Sequence, residues 1–247
     1  MKSEQATFWE HLDVLRWVII RSLGVATVFA VVAFCMKDLL FCVVLAPRTS
    51  EFVTFRLMDT DAFSVNLMNT GLTEQFMIHV KVAMYAGLLC AAPYIIYELF
   101  RFVAPALYAK ERQAGLWIVT TGYLMFMMGT ALNYLLIFPL TVRFLGTYQV
   151  SADVANMLTL QSYIDTLISM SLVMGVVFEL PVVCAILGRL GIINGQLMAR
   201  YRRHAIVAIL VVAAIITPTT DMFTLLVVSL PIWLLYEVSI LIVKLNK

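Results

Sequence analysis

Charge is scarce in this sequence. Only 13% of its 247 residues are Asp, Glu, Lys or Arg, against about 25% in a soluble domain. The net charge is +2, too weakly basic to point to nucleic acid as a partner. Histidine is scarcer still. His11, His79 and His204 each lie near the end of an apolar segment, without a convincing partner. There is no HExxH, no Gly-rich phosphate loop and no nucleophile–base pair. Enzymatic bond chemistry therefore has little support, and neither metal nor cofactor is expected. The four cysteines, Cys35, Cys42, Cys90 and Cys184, form no CxxC motif. They read as small buried hydrophobes. Cys35 and Cys42 stand two helical turns apart, too far for a local disulfide. A cleavable signal peptide is not expected either. The first sixteen residues mix both signs of charge, and the apolar run after them is longer than a signal core.

What the chain has is apolar length. Its apolar fraction is 62% and its mean hydropathy +0.95. A helix crosses a bilayer with about 20 mostly apolar residues. Residues 17–36, 75–97, 116–138 and 163–187 meet that requirement. Two further segments, about 204–217 and 222–243, are short; the apolar core of the first, Ala205–Ile216, has only twelve residues. The five-residue connection Thr217–Asp221 makes them an antiparallel hairpin. The expectation is an all-α integral membrane protein, a single domain over residues 1–247 with six transmembrane helices, the last two short. Basic residues orient it. With both termini cytoplasmic, that side carries twelve Lys and Arg, while the outer side carries Lys37, Arg48, Arg56 and Arg143. An N-in/C-in topology follows. The longest outer connection, residues 37–74, reads as short helices and turns forming a structured periplasmic cap. The stretch Met58–Met68 alternates too loosely for a clear strand.

Within this apolar background a few polar residues stand out. Glu179 lies inside the fourth span, two residues before Pro181. An ionisable group there costs at least about 2.5–3.5 kcal/mol on insertion scales and marks a functional position. The proline bends the segment and opens room around the acid. Glu237 sits in the last span, seven residues before Lys244, where it can snorkel to the interface. Asp221 fits an N-cap for the last helix. Lys81, in the second span, can also snorkel. On the cytoplasmic side acids are sparse. Glu10 and Asp13, one turn apart, share one face of an amphipathic N-terminal helix beside Arg16. Glu111 stands in the connection Phe102–Arg112, near the aromatic Phe102. Two acidic loci on one face can hold two guanidinium groups, because carboxylates pair with arginine bidentately.

Four stretches resemble the TatC family: EHLDVLR at Glu10–Arg16, FVAPALYAKER at Phe102–Arg112, FELPVV at Phe178–Val183, and TPTTDMFTLLVVSLPIWLLYE at Thr217–Glu237. The family is the six-helix subunit of the twin-arginine protein translocase. The resemblance implies a receptor for signal peptides with paired arginines, on the cytoplasmic face of the bacterial inner membrane. Such a receptor helps move folded proteins across, driven by the proton motive force. It implies that Glu111 contacts the arginine pair, that Phe102 lines the groove, and that Glu10, Asp13 and Arg16 contribute from the N-terminal motif. It assigns Glu179, and with less definition Glu237 and Asp221, to polar contacts within the membrane. The implied partners are TatA-like and TatB-like single-span subunits, further copies of the chain, and lipid. One departure stands out: Val14 occupies the place of the family's N-terminal acid, with Asp13 one residue, or about 100° of helix, away. A proton-coupled small-solute transporter using Glu179 and Lys81 is the alternative. It is disfavoured because the chain shows one deep acid and no internal repeat.

Overall fold

Runs of about 20 Val, Leu, Ile, Ala and Met satisfy their backbone groups away from water within one segment by winding into helix. The computed structural model of the chain follows that rule. It describes residues 8–58, 63–103, 115–148, 157–217 and 221–245. Five of its helical stretches are long and apolar enough to cross a membrane: Leu12–Cys35, Glu74–Phe102, Trp117–Thr147, Leu160–Arg189 and Met222–Leu245. A further helix, Arg202–Ile216, has fifteen residues. The six expected segments fall on helical stretches, but only the fifth is short: the last helix, Met222–Leu245, runs for 24 residues, because its apolar run continues past Glu237 to Val243. Most run past the apolar core into polar flanks, because nothing there stops the hydrogen-bond ladder.

The described chain divides into two compact units. The first comprises residues 1–37 and 79–123. Its helices are α1 (Phe8–Cys35) and the larger part of α4 (Glu74–Val103), with the start of α5 (Gly115–Leu132). Gly87 lets α4 meet α1 backbone to backbone. A Cβ there would sit 2.5 Å from the Ala30 nitrogen and 2.7 Å from the Ala26 carbonyl oxygen. Pro93 lies inside α4 without ending it, as prolines in apolar spans often do. Few of α1's apolar side chains are buried. A helix apolar all round and uncovered is a helix suited to lipid.

The second unit comprises residues 38–78 and 124–247. The 37–74 connection contains α2 (Lys37–Leu45), a 3-10 turn at Ala46–Arg48 and α3 (Val53–Leu57). Short helices were expected there. A strand was not, yet Leu67–Met68 pairs in parallel with Leu158–Thr159. The ladder is only two residues long and its partner lies far along the chain, so no alternation could announce it. Glu74, at the start of α4, ties the region together. Its Oε2 accepts from the Gly71 and Thr70 amides at 2.7 and 3.0 Å, and its Oε1 from the Gln161 amide at 3.1 Å.

The same unit holds the main core. The third span is α5, a π-helical turn at Asn133–Ile137, and α6 (Phe138–Thr147). The fourth is α7 (Leu160–Phe178) and α8 (Leu180–Arg189), broken at Glu179 as Pro181 led us to expect. Ile137, Met170, Met174 and Phe178 pack with Ile209, Ala213 and Ile216 of α10 (Arg202–Ile216) and with Val228, Ile232 and Leu235 of α11 (Met222–Leu245). Gly129 permits the close α5–α7 approach, since a Cβ would meet the Met174 carbonyl oxygen at 2.5 Å. After α8, Gly191 takes the left-handed conformation with φ 74° and turns the chain, ahead of α9 (Gly195–Arg200).

Two expectations need correction. Cys35, Cys42 and Cys90 are exposed rather than buried, and only Cys184 is half-buried; a thiol is small and weakly polar, and costs little on an uncovered helix face. His79 does have a partner. Its ring stacks on Phe34, with centroids 4.0 Å apart, and its Nε2 lies 3.1 Å from the Phe34 carbonyl oxygen.

Candidate functional site

A cleft of about 270 Å³ opens in the first unit, lined by Val14, Trp17, Val18, Arg21, Glu98, Arg101 and Phe102. Its lining is two helical stripes. Positions 14, 17, 18 and 21 recur every three or four residues on α1, and 98, 101 and 102 do so on α4. Such spacing puts side chains on one helix face. The walls are apolar and aromatic, with charge at two depths. Arg21 is half exposed, its side chain showing 51% of its surface. Glu98 is buried, with 4% of its side chain exposed.

Glu98 is held from both helices. The Tyr94 hydroxyl, one turn earlier on α4, donates to its Oε1 at 3.1 Å. Arg21 Nη1 from α1 stands 4.0 Å from the same oxygen. That separation is an ion pair without a close hydrogen bond. Two arginines, one buried acid and two aromatics therefore meet in one depression. An apolar wall with a few fixed polar groups is the ordinary make-up of a ligand site.

Phe102 lines this cleft. Glu111 lies outside the described residues. Asp13 and Arg16 are exposed on α1 and are not among the lining residues. Glu10 belongs to the first turn of α1, its side chain outside the described part. At position 14, the stripe that faces the cleft carries valine. Glu98 was missed in the sequence because it falls one residue past the second apolar run. Tyr94 four residues before it and Phe102 four after were the available signal.

The remaining candidates are scattered, Glu179, Asp221 and Glu237 in the second unit and Lys81 in the first. Glu179 is half-buried between α7 and α8. Its Oε1 is buried and has no hydrogen-bond partner among the described residues. Asp221 caps α11: the Thr224 amide donates to its Oδ2 at 2.7 Å. Glu237 is not simply snorkelling. Its Oε2 receives Arg202 Nη2 at 2.6 Å, joining α11 to the start of α10. Lys81 is exposed on α4.

Comparison with known proteins agrees with the motif reading. Residues 10–231 match the family described as "Sec-independent protein translocase protein (TatC)". The TatC protein of Deinococcus radiodurans is 34% identical over 238 residues, covering 96% of this chain and 85% of its own length. That of Carboxydothermus hydrogenoformans is 32% identical over 248 residues, covering 100% of this chain and 96% of its own. A crystal structure of the twin-arginine translocase receptor TatC superposes with a TM-score of 0.80 at 30% identity, covering 96% of this chain and 99% of that one. With the family matched over most of its length and the fold matched over nearly all of it, the chain belongs to the TatC family of Sec-independent protein translocase proteins.

Proposed function

We propose that this chain is the signal-peptide receptor of a twin-arginine translocase, and that it binds paired-arginine signal peptides at its cytoplasmic face. The observation that carries this reading is the cleft of the first unit. It combines the aromatic Phe102, which opens the FVAPALYAKER motif, with a buried acid and an apolar wall. A peptide with an arginine pair and an adjoining apolar stretch suits such a surface, because guanidinium pairs with carboxylate while apolar residues cover the rest. Glu111, eight residues beyond the end of α4, is the acid assigned to the arginine pair, with Glu10, Asp13 and Arg16 contributing from α1.

The chain spans the bacterial cytoplasmic membrane six times, with the five long helices and α10 as the sixth. The distribution of Lys and Arg supports cytoplasmic termini, and α2, α3 and the short ladder form the periplasmic cap. Glu179, with its unpartnered buried oxygen, supports a polar contact to a TatA-like or TatB-like span, because a buried polar atom in lipid gains most from a partner's hydrogen bond. Asp221 at the start of α11 and Glu237 near its end supply further polar contacts, at separate depths. Further copies of the chain complete the assembly, and the proton motive force drives folded cargo across. Helix α10, with fifteen residues, reaches about 22 Å against an apolar core of about 30 Å. The bilayer thins beside it.

Photo-crosslinking of a paired-arginine signal peptide tests the reading. Glu111→Ala should cut the yield sharply. Glu111→Lys should cut it further, because it repels as well as failing to pair. Undiminished crosslinking in both variants overturns it.

A further inference from the structure

We infer that Glu98 is the second carboxylate of the peptide site, replacing on α4 the acid that α1 lacks at position 14; this rests on the receptor reading above. Val14 and Glu98 line the same cleft. The side of the cleft formed by α1 therefore carries a methyl-bearing side chain where the family motif has an acid, and the side formed by α4 carries the buried acid Glu98. The negative charge within the cleft stands on the α4 wall.

The geometry suits a replaceable cation. A buried carboxylate needs a counter-charge. In the unliganded cleft Arg21 supplies it, but at 4.0 Å and from a half-exposed side chain. Arg21 is thus a stand-in guanidinium, close enough to balance the charge and loose enough to swing outward on its long stem. An incoming peptide arginine takes its place with shorter, bidentate contacts. Tyr94 holds the carboxylate in position during the exchange, through its 3.1 Å bond to Oε1. Phe102 and Trp17 are the aromatic faces over which a second guanidinium can stack. Because the exchange is arginine for arginine, the site selects for guanidinium over ammonium, which cannot reproduce the planar fork.

The test measures binding of a paired-arginine peptide, and of the same peptide with paired lysines, to the purified full-length chain. Glu98→Gln preserves the shape and the bond to Tyr94. It should weaken the paired-arginine peptide at least about tenfold while barely changing the paired-lysine peptide. Adding Val14→Glu to Glu98→Gln, which returns an acid to the α1 wall, should recover most of the loss. That recovery separates a binding role from a folding role. Full-strength, arginine-selective binding by Glu98→Gln overturns the inference, as does a loss that Val14→Glu leaves untouched. If Glu98→Gln is silent while Glu111→Ala abolishes binding, the inference falls and the receptor reading stands. If the unaltered chain itself fails to distinguish the two peptides, the receptor reading falls with it.

Discussion

Replacing Gly87 by alanine should both destabilise the first unit and weaken its cleft. The added Cβ would lie 2.5 Å from the Ala30 nitrogen, 2.7 Å from the Ala26 carbonyl oxygen and 2.7 Å from the Ala30 Cα. All three are backbone atoms, so no side chain can rotate away. Ordinary contact begins at 3.4 Å, so α1 and α4 must part by about 1 Å, an overpacking that typically costs about 1–3 kcal/mol. For a chain of this size each kcal/mol moves the melting temperature by roughly 2–4 °C, so a fall of roughly 2–12 °C is expected. The cleft stands on the same two helices. A shift of that size acts directly on the 4.0 Å separation between Arg21 and Glu98. Gly24→Ala is the matched control on α1, where nothing lies within 4 Å of the new Cβ. It should be neutral or stabilise by up to about 1 kcal/mol, because alanine is the better helix former. Thermal unfolding in detergent and peptide binding are measured on both variants. Equal melting temperatures and equal affinities for Gly87→Ala and Gly24→Ala would refute the packing argument.

Other substitutions test other contacts. Glu237→Gln should lower stability by about 1 kcal/mol or less, since both partners are partly exposed, and the exchange Arg202→Glu with Glu237→Arg should restore most of it; thermal unfolding reads both. Asp221→Ala should cost about 1 kcal/mol by removing the cap of α11, while Asp221→Asn, which can still accept from the Thr224 amide, should cost less. Inserting four leucines into α10 should impair transport of folded cargo into vesicles while leaving peptide binding intact. Unchanged transport removes the thinning argument.

The spans were legible because apolar length is written locally. Residues 17–36 and 222–243 needed no tertiary information, and the break at Glu179 followed from Pro181 alone. What escaped depends on residues far apart. The strand at Leu67–Met68 exists only because Leu158–Thr159 lies beside it. Likewise, the partner of Glu237 is 35 positions away at Arg202, and nothing in the sequence pairs them. The π-turn at Asn133 is of the same kind: its side-chain amide donates to Ser171 Oγ at 2.7 Å, a helix away. Glu98 was hidden differently. An apolar window stops at the first acid, so the residue at the rim of a span was counted as its end rather than as part of a site. The α1 motif shows the reverse. Asp13 stands next to the missing acid in the sequence, yet it is the 14, 17, 18 and 21 stripe that lines the cleft, a placement only the packing of α1 on α4 reveals.

The most direct measurement is the affinity of the purified chain for one signal peptide with its arginine pair intact and with that pair changed to lysines. A receptor for paired arginines binds the first at least about tenfold more tightly, since only guanidinium offers the bidentate fork. Equal affinity for the two peptides would contradict the proposed function.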